Sequence, residues 1–114
     1  MNNKEKGDIG EKIAKSYLIK KGADILESKY KIKSGEIDII ARLDNELVFV
    51  EVKARSSLRY GYPSEAVNSR KIKKIVDTSK YYIYRNNLCN IPIRFDVIEI
   101  YLNENKINHI VNAF

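Results

Sequence analysis

The chain is short of the residues from which many small sites are built. Of its 114 residues, one is cysteine and one is histidine. With Cys89 alone there is no internal disulfide and no cysteine-rich zinc site, and a reducing cytoplasm is the simplest expected setting. Cys89 sits in an Asn-rich loop and is given no role. His109 lies far along the chain from any carboxylate motif, so no Ser-His-Asp or Cys-His set is at hand, and His109 reads as structural. No apolar run approaches the roughly 18 residues that a membrane span requires, so no membrane partner is expected. The stretch from Met1 to Lys6 is polar and lacks the apolar segment of a secretory signal. There are no repeats, linkers or low-complexity tracts.

What is present describes a folded, basic protein. The 44% hydrophobic and 32% charged content is that of a globular chain, and 114 residues bound it to a single domain, 1–114, with one modest core. The net charge is +6, from 21 basic and 15 acidic residues. The basic residues cluster at Lys29, Lys31 and Lys33, at Arg55 and Arg59, and at Arg70, Lys71, Lys73 and Lys74. Such clusters attract polyanions, because neutralising phosphates releases their counterions. Solubility alone is the other reading of the charge.

The periodicity predicts a helix from Lys4 to Lys21, with Ile9, Ile13, Ala14, Tyr17 and Leu18 on its apolar stripe and Gly22 as its stop. A strand follows over Ala23 to Lys33, then a hairpin whose arms are Gly35 to Leu43 and Glu46 to Ala54. Arg55 to Pro63 reads as a polar loop of the kind that often carries function. A second helix spans Ser69 to Arg85, capped by Asn68 in preference to Ser64, with Ile72, Ile75, Val76, Ser79, Tyr82 and Ile83 turned inward. Ile93 to Leu102 and Lys106 to Val111 form a last hairpin. The order α-β-β-β-α-β-β predicts a mixed sheet, with the second helix as the crossover before Ile93.

The chemistry concentrates in the first hairpin. If Asp44 and Asn45 are a two-residue loop, Leu43 pairs with Glu46, Ile40 with Phe49, Asp38 with Glu51 and Glu36 with Lys53. Ile37, Ile39 and Ala41 with Val48, Val50 and Val52 then make one apolar face, and Asp38, Glu51 and Lys53 lie on the other. Like charges opposite each other weaken a sheet, so an Asp facing a Glu calls for something positive between them. A hard divalent cation with oxygen ligands meets that need. The bland alternatives are ion pairs: Asp38 and Glu51 with neighbouring Lys or Arg, Lys53 with Glu36, and Glu11 with Lys15. Arg55 stands equally as a phosphate contact or a solvated strand end, and Tyr60 reads more readily as packing than as a base-stacking ring. Arg94 and Asp96 read as a structural pair.

Gly35-Glu36-Ile37-Asp38-Ile39-Ile40 followed by Phe49-Val50-Glu51-Val52-Lys53-Ala54-Arg55 resembles the YraN family of bacterial proteins. The likeness also takes in Gly10-Glu11 and Ala14, Tyr60-Gly61 and Pro63, Lys71, Arg94-Phe95-Asp96-Val97 and Asn112-Ala113-Phe114. That family is similar to archaeal Holliday-junction resolvases and to the PD-(D/E)XK nucleases, although Ile37 stands where the broader superfamily often has proline. The resemblance implies an α/β, restriction-endonuclease-like αβββαβ core with a mixed sheet flanked by helices. It further implies Mg²⁺ (or Mn²⁺) held by Asp38, Glu51 and the Val52 carbonyl, with Lys53 beside the attacking water and Glu11 completing the site. Arg55, Arg59, Tyr60, Arg70, Lys71 and Lys74 become the expected contacts to branched or structured DNA, bound by a homodimer. Two other classes compete: a nucleic-acid-binding module of the same fold with little or no catalysis, and a protein scaffold that docks an acidic partner.

Overall fold

The computed structural model describes residues 1–57 and 68–114, so the expectations for Arg59, Tyr60, Gly61 and Pro63 fall outside it. The elements are α1 (Asn3–Lys20), β1 (Asp24–Ile32), β2 (Gly35–Leu43), β3 (Glu46–Arg55), α2 (Ser69–Arg85), β4 (Ile93–Tyr101) and β5 (Lys106–Ile110). The five strands form one sheet in the order β1-β2-β3-β4-β5. The pairs β1–β2, β2–β3 and β4–β5 are antiparallel and β3–β4 is parallel. The expected mixed α/β architecture is therefore present, and it is compatible with a restriction-endonuclease-like core. Among the described residues no helix is long and apolar enough to cross a membrane.

Local chemistry sets the register. Asp44 and Asn45 both adopt left-handed backbone, with φ of 55° and 61°. That is the turn whose twist matches paired strands. Leu43 accordingly faces Glu46 and Ile40 faces Phe49. Gly22 ends α1 at φ 96°, and its N–H and that of Ala23 donate to the Ile19 and Leu18 carbonyls at 2.9 and 3.0 Å. Both orphan carbonyls are thereby satisfied, as in a Schellman cap. Asn68 caps α2 by accepting the Lys71 N–H at 2.9 Å.

The helices cover opposite faces. Ala14 and Leu18 of α1 pack on Ile39, Ala41, Val48 and Val50. Ile75 and Tyr82 of α2 pack on Ile37, Ile40, Leu47 and Phe49. Two stripe residues depart from expectation. Ile9 is exposed, and Gly10 and Glu11 take the buried position instead. The cause is close approach, since a Cβ at Gly10 would sit 2.6 Å from the Ala54 Cβ on β3. Ile37, expected beside Ile39 on the α1 face, joins the α2 layer. The exchange falls at Asp38, where the β2–β3 ladder has ended at Ile39–Val50. There the neighbouring β1 residue, Lys29, is left-handed with φ 51°.

On β4, paired with Val50 one rung from Glu51, Asp96 is fully buried and saturated. It receives Arg94 Nε at 3.1 Å, lies 2.7 Å from His109 Nε2 and accepts the Asn112 N–H at 3.1 Å. His109 Nδ1 lies 2.9 Å from the Tyr17 hydroxyl of α1. His109 and the Arg94–Asp96 pair are thus part of the framework. Burial would raise the Asp96 carboxyl, but His109, the Asn112 N–H and Arg94 outweigh it and hold it below the usual carboxylate range.

Candidate functional site

The site begins where backbone pairing between β2 and β3 gives out. The Asp38–Glu51 and Glu36–Lys53 positions fall beyond the last ladder pair, so neither is the cross-strand partnership expected from the count. Asp38 bridges the gap with its side chain, its Oδ2 accepting the Val52 N–H at 2.8 Å. Its carboxyl group still stands close enough to Glu51 for the two charges to repel. Burial, and next the Glu51 charge, push the Asp38 carboxyl up to about 8. Asp38 and Glu51 therefore converge, through the end of the hairpin and not through a regular rung.

Glu51 is buried on the central strand β3, and its Oε2 makes no hydrogen bond of ordinary geometry. Its contacts are ionic. Lys53 Nζ lies 3.8 Å away, and Lys71 reaches across from the first turn of α2 to the same oxygen. The two amines thus share one carboxylate oxygen and feel each other's charge. Burial, then the Lys71 charge, pull Lys53 below the ordinary lysine value. For Lys71, burial acts in the same direction, but the contact with Glu51 prevails and holds its proton more firmly than usual. One lysine is thereby moved toward the neutral amine and the other fixed as the cation.

Glu11 arrives from α1. It is buried, with Lys15 at 3.9 Å and Lys29 at 3.3 Å, so the expected Glu11–Lys15 pair is present without removing Glu11 from the site. It lines a cavity of about 260 Å³ with Asp8, Lys29, Asp38 and Val52. A second cavity, of about 310 Å³, is lined by Gly35, Glu36, Asn68, Arg70, Lys71, Lys74 and Ile75. Arg70 and Lys74 are exposed on its rim. Arg55 ends β3 with its Nε buried and without a hydrogen-bond partner. Lys29, counted among the phosphate-seeking cluster, is held by Asp8 at 2.7 Å as well as by Glu11. Lys73 is held by Asp77 at 3.0 Å.

Among the described residues no three His, Cys, Asp or Glu side chains form a ready-made metal cage. The donor chemistry nevertheless suits a magnesium ion, which takes one or two carboxylates and leaves its other positions to phosphate and water. The buried Glu51 oxygen is a cation-binding position, occupied here by the Lys71 amine with Lys53 nearby.

Residues 10–100 match the model of the uncharacterised protein family UPF0102. The chain belongs to this family, the YraN family of the sequence comparison. A UPF0102 protein of Clostridioides difficile is 62% identical over 114 residues, covering all of both chains. One from Caldanaerobacter subterraneus is 51% identical over 119 residues, spanning all of this chain and 98% of its own. Another, from Clostridium acetobutylicum, is 49% identical over 116 residues, spanning 98% of this chain and 95% of its own. Within this UPF0102 chain, sequence reasoning placed Lys71 among DNA contacts and missed its seat on Glu51. Its sole signal there was a lysine, among others, at the start of a helix.

Proposed function

We propose that this UPF0102 protein is a Mg²⁺-dependent, nuclease-like protein that acts on branched or otherwise structured DNA. The observation that carries the reading is the carboxylate pair, half-buried Asp38 and buried Glu51, held close together beside Lys53 and Lys71. A protein that only gripped DNA would gain nothing from two carboxylates where a phosphate must approach. Asp38 and Glu51, with the Val52 carbonyl, would hold the ion, and Glu11 lines the cavity beside Asp38. When bound, Mg²⁺ would supply Lewis-acid polarisation of a phosphoryl oxygen and a more acidic water. Lys53, drawn toward the neutral amine, is suited to orient that water or take its proton, and as a cation to stabilise charge on the phosphate. Arg70 and Lys74 on the rim would position the backbone without reading sequence. Two symmetric cuts in a four-way junction would call for two copies of the chain.

One observation favours a second reading. Glu51 already has lysine partners, which is what a catalytically silent nucleic-acid-binding module of the same fold would show. Labelled linear, flap and four-way DNA incubated with and without Mg²⁺ or Mn²⁺ separates the two. Metal-dependent cleavage that vanishes in Asp38→Asn is the expected result. Tight binding with no cleavage of any substrate would favour the silent module.

A further inference from the structure

Lys71 does more at this site than its place in a basic cluster requires. It stands in the first turn of α2, where its N–H is fixed by the Asn68 cap, yet its side chain crosses to the central strand. That turn carries no acidic residue, although the helix dipole favours negative charge there. The compensating charge comes from Glu51. Lys71 thus occupies the position that a bound cation would need. Its side chain is 44% exposed, so it has a way out, whereas Glu51 is 5% exposed and has none.

We propose that Lys71 is a built-in counter-ion, seated on Glu51 when no divalent ion is present and obliged to withdraw before one can settle there. The inference rests on the reading of Asp38 and Glu51 as metal ligands. A divalent ion near Glu51 repels the ammonium group, and the repulsion grows as the surroundings become less polar. The amine that leaves has a place to go: the cavity of about 310 Å³ that it lines with Arg70 and Lys74. There it would meet phosphate. One side chain then couples the two ligands, because entry of metal frees a cation for DNA and engagement of DNA frees a carboxylate for metal.

The test is calorimetric titration of Mg²⁺ into the DNA-free protein at one fixed, mildly alkaline pH for every variant. Lys71→Gln should bind Mg²⁺ roughly tenfold tighter than the wild type. Lys71→Arg, which keeps the charge, should bind like the wild type. Lys80→Gln, an exposed charge on the same helix, should do so as well. Without metal, Lys71→Gln should melt below the wild type, and Mg²⁺ should restore more of its melting temperature than it adds to the wild type. Equal or weaker Mg²⁺ binding by Lys71→Gln, with its circular dichroism unchanged, overturns the proposal while leaving the metal reading intact. Tightening in Lys71→Arg as strong as in Lys71→Gln also overturns it. If no variant and no wild-type chain binds Mg²⁺, the metal reading fails and takes the proposal with it.

Discussion

Asp38 is held in a way that makes the protein sensitive to alkali. Its carboxyl has an ordinary value of 3.8 and is pushed up to about 8 in the fold, by burial first and the Glu51 charge second. A raised folded value means that the group's contribution to stability is fully present below the unfolded value. That contribution is lost as pH rises through the folded one. Thermal melts without divalent ion should therefore show the wild type losing stability between about pH 4 and pH 8, relative to Asp38→Asn. Identical pH profiles for the two chains would show that the carboxylates do not strain each other. Asp96 has the opposite sign: held below 3.8, it contributes stability that is present above that value and lost as the solution becomes more acid. Asp96→Asn should cost about 3 kcal/mol in urea unfolding, the low end for a broken buried pair because Glu46 still holds Arg94 at 3.0 Å.

Among the elements, α1 has the tightest constraint. Alanine is favoured over glycine within a helix by about 1 kcal/mol, which would make Gly10→Ala stabilising on propensity alone. The 2.6 Å approach to the Ala54 Cβ opposes it, and overpacking there costs about 1–3 kcal/mol. The net effect should be a lower melting temperature, and Mg²⁺ binding should weaken because the helix that carries Glu11 is lifted from β3. A stabilised Gly10→Ala would mean that helix and strand stand further apart. The hairpin was readable in advance because Asp44 and Asn45 accept left-handed backbone, and counting outward from them places Ile40 on Phe49. The cap at Asn68 and the stop at Gly22 were readable for the same local reason. Ile37 was not, because strict alternation presumes a regular ladder, and the ladder ends one residue before Asp38. Nor was the reach of Lys71 to Glu51, which depends on how α2 docks on the sheet and not on any spacing along the chain.

For the molecule as a whole, charge and burial make separable predictions. Val50 is fully buried beneath α1, so Val50→Asp should unfold the chain, while Lys53→Ala should melt close to the wild type. Similar melting curves for the two would be incompatible with the observed layers. DNA affinity should fall with salt, at a log–log slope of about −0.9 for each phosphate neutralised. Replacing Arg70 with Ala should flatten that slope by about one contact without changing sequence preference. Divalent ions should tighten binding in the wild type, and Asp38→Asn should remove part of that effect. Salt-insensitive binding would point to a protein partner instead.

The sheet's connectivity also sets the order in which these parts come together. Strands β1, β2 and β3 form a meander of near neighbours in sequence, whereas β4 must return alongside β3 from beyond α2. Closing the longer loop is slower, so the meander can form first and bring Asp38 and Glu51 together before α2 has docked. During that interval the carboxylates stand without the amine of Lys71, and they come together most readily while protonated. In stopped-flow experiments, Lys71→Gln should speed unfolding and leave the refolding rate nearly unchanged, while Val48→Ala in the meander should slow refolding. A refolding rate that falls in Lys71→Gln would place the docking of α2 ahead of the meander. The nascent chain would then acquire its cation and its carboxylates together.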